Sequence, residues 1–217
     1  MSWKRILLSY SPAPIVAMAK GIRDLTRERS SRVQARKILR DSGPIRLELG
    51  AGNKKGTNGW TTLDIVPGCD MYCDLAKGIP FPDRSVQSIY SSHFFEHLTY
   101  AQARILLDEC LRVMASAGKF SICVPNARLY LEAYLSKGPA LNAEFFRHRP
   151  AFNRTTKIDC VNYIAYMDGD HKYMFDEENL VFLLEQGGFK NVRVRAFDPA
   201  LDLKERQYES IYAEGYK

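Results

Sequence analysis

An apolar run, Ile45-Arg46-Leu47-Glu48-Leu49, passes directly into Gly50-Ala51-Gly52-Asn53, and a second run, Trp60-Thr61-Thr62-Leu63, ends on Asp64. Strand, glycine turn, strand and carboxylate in that order is the opening of a Rossmann-like sheet. The glycines let backbone pass close to a ligand, and the carboxylate can accept both hydroxyls of a ribose. The spacing argues against a dinucleotide. Lys55 stands where a third glycine would bring a helix N-terminus to a pyrophosphate, and Asp64 follows Gly50 by 14 positions rather than the roughly 20 of that fingerprint. Gly56 is followed by Thr57 and Asn58, so no Walker-type Gly-Lys-Ser/Thr exists. The loop suits a nucleoside cofactor without phosphates.

Further fragments appear in a fixed order along the chain. They are Leu63-Asp64, Cys73-Asp74-Leu75, the run Phe81 to Ser92, Glu96-His97-Leu98, Leu111-Arg112-Val113-Met114 with Gly118-Lys119, Phe120 to Asn126, and Gly187-Gly188-Phe189. Together with Leu47-Glu48-Leu49-Gly50-Ala51-Gly52 they resemble the class I S-adenosylmethionine-dependent methyltransferases. Gly59-Trp60 before the acid, and the ending Arg206 to Glu214, are similar to a branch of that family often associated with surface-polysaccharide biosynthesis. The resemblance implies S-adenosylmethionine as cofactor. It would be held by Glu48 near the ammonium group, by Gly50, Ala51 and Gly52, by Asp64 and Ile65 at the ribose, by Asp74 and Leu75 beside the adenine, and by Ser91 and His93 after the fourth strand.

The expected fold is α/β, a Rossmann-like, doubly wound, mostly parallel seven-stranded sheet with an antiparallel edge hairpin and an N-terminal helical arm. Strands are predicted over 45–49, 61–65, 71–73, 86–91, 119–124, 191–196 and 209–215. A helix over 100–114 carries a capping box, Thr99 with Gln102, and a buried stripe of Leu98, Ala101, Ile105, Leu106, Cys110 and Val113. Another starts at Asp176, buries Leu180, Leu183 and Leu184, and stops at Gly187-Gly188. Only nine residues join strands 1 and 2, too few for the usual crossover helix. The methionine end of the cofactor is then more exposed, or covered by the arm. Residues 128–166 are read as an irregular acceptor-side insertion, with Tyr130, Tyr134, Phe145, Phe146, Arg147, His148, Arg149 and Phe152 supplying a small core of its own and acceptor contacts.

Charge separates the chain into two parts. Residues 1–40 carry ten Lys/Arg and two acids, a net +8 against +6 for all 217 residues, so the methyltransferase-like part, 41–217, is slightly acidic. Ile15, Met18, Ile22 and Leu25 recur at helical spacing among the basic residues. Such an arm can cap the sheet, meet another subunit or lie on an anionic membrane surface. Pro12 and Pro14 interrupt the apolar stretch that a signal peptide needs, so the expected location is the cytoplasm, with a peripheral site on the inner membrane face if the arm binds lipid. Five scattered cysteines suit a reducing compartment.

Candidate catalytic groups are His97, beside Glu96, and His171 before the second helix. Either can act as base toward a hydroxyl acceptor. Glu96, His93, His97 and His171 could also gather a divalent metal that orients a diol, although sequence alone assigns no metal ligand. The expected reaction is methyl transfer to a small-molecule or glycan hydroxyl. The alternatives are a methyltransferase recruited to RNA or protein by the basic arm, or a cofactor-binding scaffold without catalysis. Nucleic acid is the weaker partner, because Ser91-Ser92-His93-Phe94 stands where base amino-methylating enzymes keep Asn/Asp-Pro-Pro-Tyr/Phe.

Overall fold

The computed structural model describes residues 13–41, 43–137 and 156–217. Helix α1 (Ala13–Asp41) precedes β1 (Arg46–Leu49), β2 (Trp60–Asp64), β3 (Met71–Tyr72) and β4 (Val86–Ser92). After these come α2 (Tyr100–Val113), β5 (Met114–Pro125), α3 (Ala127–Leu135), α4 (Ile158–Tyr166), α5 (Glu177–Gln186), β6 (Lys190–Val194) and β7 (Ser210–Tyr216). The seven strands form one sheet in the order β3-β2-β1-β4-β5-β7-β6. The first five are parallel, and β7 pairs antiparallel with both β5 and β6. The chain order reverses beside β1, between β2 and β4, which is where ligands enter open α/β sheets at the carboxyl ends of the strands.

Alternation along the strands sorts the two faces. Leu47, Leu49, Leu63, Ile89, Phe120, Ile122, Val124, Ile211 and Ala213 point to one side, where they share a core with Leu106, Leu107 and Cys110 of α2 and Leu180, Leu183 and Leu184 of α5. The opposite face is more polar. There Tyr90, Cys123 and Tyr212 pack with Trp60, Phe197 and Leu201. On that face Arg195 holds Asp202 at 2.5 and 2.7 Å, and the Tyr90 hydroxyl donates to the same carboxylate at 3.0 Å.

Helix α2 has the predicted capping box: Thr99 accepts from the Gln102 N–H, and the Gln102 side chain accepts from the Thr99 N–H. Its buried stripe is rotated from the predicted one. Ala103, Leu106, Leu107, Cys110 and Val113 are buried, whereas Ala101 is exposed and Ile105 is 57% exposed. Asp176 caps α5 by accepting from the Asn179 N–H at 2.8 Å.

Residues 51–59 contain no helix. Asp70 clamps this short crossover instead, accepting from the backbone N–H of Gly56 (2.8 Å) and Thr62 (3.1 Å) and from the Thr62 hydroxyl (3.0 Å). Gly56 has to be glycine, since a Cβ there would lie 1.9 Å from the Trp60 carbonyl oxygen. Helix α1 docks by the β3 edge. The Ser31 hydroxyl donates to the Tyr72 carbonyl, the Gln34 amide donates to the Asp70 carbonyl at 2.7 Å, and Ala35 is buried. The described part of the arm therefore covers the β3 side. The side chains of Ile15, Met18, Ile22 and Leu25 lie outside the described residues.

The described parts of the insertion, 128–137 and 156–166, are more regular than expected. Helices α3 and α4 bound it, and Ala127, Tyr130, Cys160, Tyr163 and Ile164 form a separate small core, with Tyr130 and Tyr163 stacked. Phe145, Phe146, Arg147, His148, Arg149 and Phe152 lie outside the described residues. Among the described residues no helix is long and apolar enough to cross a membrane.

Candidate active site

Two regions lie at the carboxyl edge, one after β1 and β2 and the other after β4 and β5. The first is the glycine crevice. Gly50 and Gly52 have φ of +69° and +64°, the left-handed region that glycine enters at little cost. The Gly52 N–H donates to the Asp64 carboxylate at 2.8 Å, and the Val66 N–H donates to its other oxygen at 2.9 Å. Each oxygen keeps a second acceptor position for an incoming hydroxyl. A Cβ on Gly52 would meet nothing within 4 Å, so space is open above it. Ile65 and Val66, next along the edge, are 57% and 41% exposed. Buried Glu48 already binds an ammonium, that of Lys54, at 2.6 Å. An adenosyl amino acid fits this set: a hydroxyl acceptor, bare backbone, apolar edge side chains and a carboxylate that selects cations.

Some residues expected at the cofactor stand elsewhere. Ser91 is fully buried and donates its hydroxyl to the Leu49 carbonyl at 3.2 Å, so it braces β1 against β4 instead of facing the crevice. Leu75 is in the main core, because the three-residue turn that Asp74 caps directs it inward. Asp74 accepts from the Ala76 N–H and lines a cavity of about 420 Å³ between α1 and residues 72–82. The side chain of His93 turns away from the glycine crevice: its Nε2 is 2.8 Å from the Ser210 hydroxyl and its Nδ1 3.5 Å from Glu96. Its φ of +49° makes this turn possible. The next residue, Phe94, supplies what sequence reading missed. Its ring lies against Gly50, where an added Cβ would fall 2.1 Å from Cγ.

The second compartment is a cavity of about 260 Å³ whose lining includes His93, Glu96, His97, Tyr163, His171 and Arg206. Glu96 and His97 sit in the short turn Phe95–His97 after β4. His171 comes from the segment before α5, drawn in because the Lys172 and Tyr173 N–H groups both donate to the Glu96 carbonyl, at 2.7 and 3.2 Å. The imidazoles of His97 and His171 meet edge to face with centroids 5.1 Å apart. His97 Nδ1 lies 3.0 Å from the Asp170 carbonyl oxygen, and His171 Nδ1 lies 2.8 Å from that of Ile164. A carbonyl only accepts, so both Nδ1 atoms carry a proton, and in the neutral ring the lone pair is then on Nε2. Burial lowers the pKa of His171, which keeps its ring neutral near pH 7. Burial also raises Glu96 to about 8. Neither the sequence positions nor local periodicity bring Glu96 and His171 together; the contact depends on residues 75 apart in the chain.

Comparison with known proteins agrees with this architecture. Residues 47–122 match the methyltransferase domain family. No curated protein matches the chain. Among solved structures, phosphoethanolamine N-methyltransferase 2 of Haemonchus contortus, in complex with S-adenosyl-L-methionine, is 10% identical with a TM-score of 0.50, over 87% of this chain and 52% of that one. The chain thus spans about half the length of that relative. A SAM-dependent methyltransferase from Archaeoglobus fulgidus is 18% identical with a TM-score of 0.49, over 88% of this chain and 94% of that one. One from Mesorhizobium loti is 17% identical with a TM-score of 0.48, over 83% and 96%.

Proposed function

We propose that this chain is an S-adenosylmethionine-dependent methyltransferase and that it methylates a hydroxyl of a small-molecule or glycan acceptor, a reading supported by the domain match and the fold. The observation that carries the reading is the junction of the two compartments. Consecutive residues face opposite ways, Phe94 onto Gly50 of the crevice and His93 into the histidine-lined cavity. A methyl donor in the crevice therefore borders whatever the cavity holds.

S-adenosylmethionine, when bound, supplies an electrophilic methyl on a sulfonium. Asp64 takes the ribose hydroxyls on its spare acceptor positions, Gly52 leaves the backbone bare, and Glu48 draws the ammonium. Most of the rate then comes from holding acceptor and methyl in line, an effect worth up to ~7–11 kcal/mol. The acceptor hydroxyl must give up its proton as the O–C bond forms and the C–S bond breaks. His97 and His171 offer Nε2 lone pairs for that proton inside the same cavity. The missing crossover helix and Gly59-Trp60 support a place in the polysaccharide-associated branch, which makes a nucleotide sugar or lipid-linked glycan the first acceptors to try. The basic arm supports a peripheral position on an anionic membrane.

Labelled methyl transfer measured against nucleotide sugars, lipid-linked glycans and structured RNA separates the readings. Transfer to a glycan hydroxyl is expected. Transfer to RNA alone would reassign the chain to the nucleic-acid class, and calorimetry that shows no cofactor affinity would remove the transferase reading.

A further inference from the structure

We infer that Glu96, His97 and His171 form a binding site for one divalent transition-metal cation. One donor atom from each lies within 4.8 Å of the other two. Three donors on a single cation with bonds of ~2.1 Å stand about 3–4 Å apart, so small side-chain rotations close the set. His97 Nε2 is already 3.8 Å from Glu96 Oε1.

Two independent observations point to a ligand there. The first is the preparation of both imidazoles. Two different backbone carbonyls, of Asp170 and Ile164, take the Nδ1 protons, which fixes both rings in the same tautomer with Nε2 unprotonated. Metal-bound histidines are held in this way, the far N–H donating to a carbonyl or carboxylate that sets ring orientation. The second is Glu96. It is 2% exposed, yet its Oε2 has no hydrogen-bond partner among the described residues. Its other oxygen is 3.5 Å from His93 and 3.8 Å from His97, beyond a good hydrogen bond. A buried carboxylate oxygen is costly to leave without a partner. A cation between Glu96, His97 and His171 would displace the carboxyl proton and bind the carboxylate through Oε1, the oxygen 3.8 Å from His97 Nε2, offsetting the cost of its burial.

Ligand chemistry selects the ion. Two imidazoles and one carboxylate favour Mn²⁺, Fe²⁺, Co²⁺ or Zn²⁺ over the all-oxygen shells of Mg²⁺ and Ca²⁺. Three protein ligands beside a cavity of about 260 Å³ leave positions open to the cavity, the pattern of a working site and not of a closed structural one. The role, though not the site itself, rests on the methyltransferase reading. Adjacent oxygens of the acceptor occupy the open positions. A hydroxyl there loses its proton to water more readily, and its oxygen takes the methyl carbon as the C–S bond breaks. In this form His97 and His171 act through the cation instead of as free bases.

The test is calorimetric titration of chelator-treated full-length protein with Mn²⁺ and with Zn²⁺, beside His97→Ala and Glu96→Gln. S-adenosylmethionine affinity and thermal melting serve as folding controls. One equivalent should bind the wild type, and His97→Ala, whose side chain is 40% exposed, should melt normally but bind about 100-fold more weakly or worse. No binding of either ion by the wild type, or equal binding by His97→Ala and the wild type, overturns the site. Cation binding without any methyl transfer upholds the site and rejects the reaction; methyl transfer that persists in chelator upholds the transferase reading and rejects the cation's role in it.

Discussion

Placing one methyl group on Gly50 or on Gly52 separates the folding role of the glycine loop from its binding role. Both residues have positive φ, so alanine at either position carries the left-handed penalty of ~1–2 kcal/mol. Surroundings then divide them. At Gly50 the new Cβ would lie 2.1, 2.4 and 2.5 Å from three atoms of Phe94, so the ring must leave its place, an overpacking cost of about 1–3 kcal/mol. At Gly52 the methyl enters open space. Gly50→Ala should therefore lose about 2–5 kcal/mol, and Gly52→Ala about 1–2 kcal/mol. For a chain of this size these correspond to falls in Tm of about 4–20 °C and about 2–8 °C. Binding should rank in the opposite sense relative to stability: Gly52→Ala, still folded, loses at least ~10-fold in S-adenosylmethionine affinity, or ~1.4 kcal/mol. Urea unfolding and calorimetry measure both, and Phe94→Ala in the Gly50→Ala background should recover part of the lost stability. Wild-type cofactor affinity in Gly52→Ala would mean that the ligand does not pass over this loop. A Gly50→Ala protein as stable as wild type would refute the contact with Phe94.

Other perturbations test other parts of the molecule. Asp202→Asn leaves Arg195, only 9% exposed, without its partner and should cost about 3–5 kcal/mol in urea unfolding, whereas an exposed ion pair would cost under about 1. Burial pushes the Glu214 carboxyl up, but Lys119 at 2.6 Å and Arg193 at 2.5 Å outweigh it and hold the group below the ordinary range. Its stabilisation is thus present above the unfolded value of ~4.3 and fades as pH falls through the lower folded value. Glu214→Gln should accordingly flatten the loss of stability that sets in as pH falls below about 4.3, and an unchanged acid profile would show the pairs to be inert. Turnover in His97→Ala and His171→Ala should drop about 10²–10⁴-fold with cofactor affinity intact, and wild-type rates would remove both from the mechanism. Deletion of residues 1–41 should abolish sedimentation with anionic liposomes and lower stability, because it removes the contacts of Ser31, Gln34 and Ala35 with the β3 edge.

What sequence alone made legible follows from how far each signal reaches. All seven strands and both predicted body helices were visible, because alternation, the Thr99–Gln102 capping box and the Asp176 N-cap are local chemistry. The phase of α2 was not. Apolar residues occupy more than one arc of that helix, and only the position of the sheet decides that Leu107 is covered while Ile105 stays at the surface. Ser91 and Leu75 carried a family expectation, but their side chains were directed by the strand pleat and a capped turn into packing that no short motif records. Asp70 escaped notice for a related reason: its three bonds reach back to Gly56 and Thr62, and it holds the crossover only once those residues have come together. On the acceptor side the sequence already grouped Glu96, His97 and His171 as possible donors, but not the way in which they meet. His97 and Glu96 are adjacent and could be read as a pair, yet the third donor arrives only because the N–H groups of Lys172 and Tyr173 find the Glu96 carbonyl. The chemistry of the cavity is thus set by two backbone hydrogen bonds between segments that share no local pattern. A substitution that disturbs that backbone junction should separate His171 from His97 while leaving the glycine crevice in place, so cofactor binding and turnover should be separable by mutation.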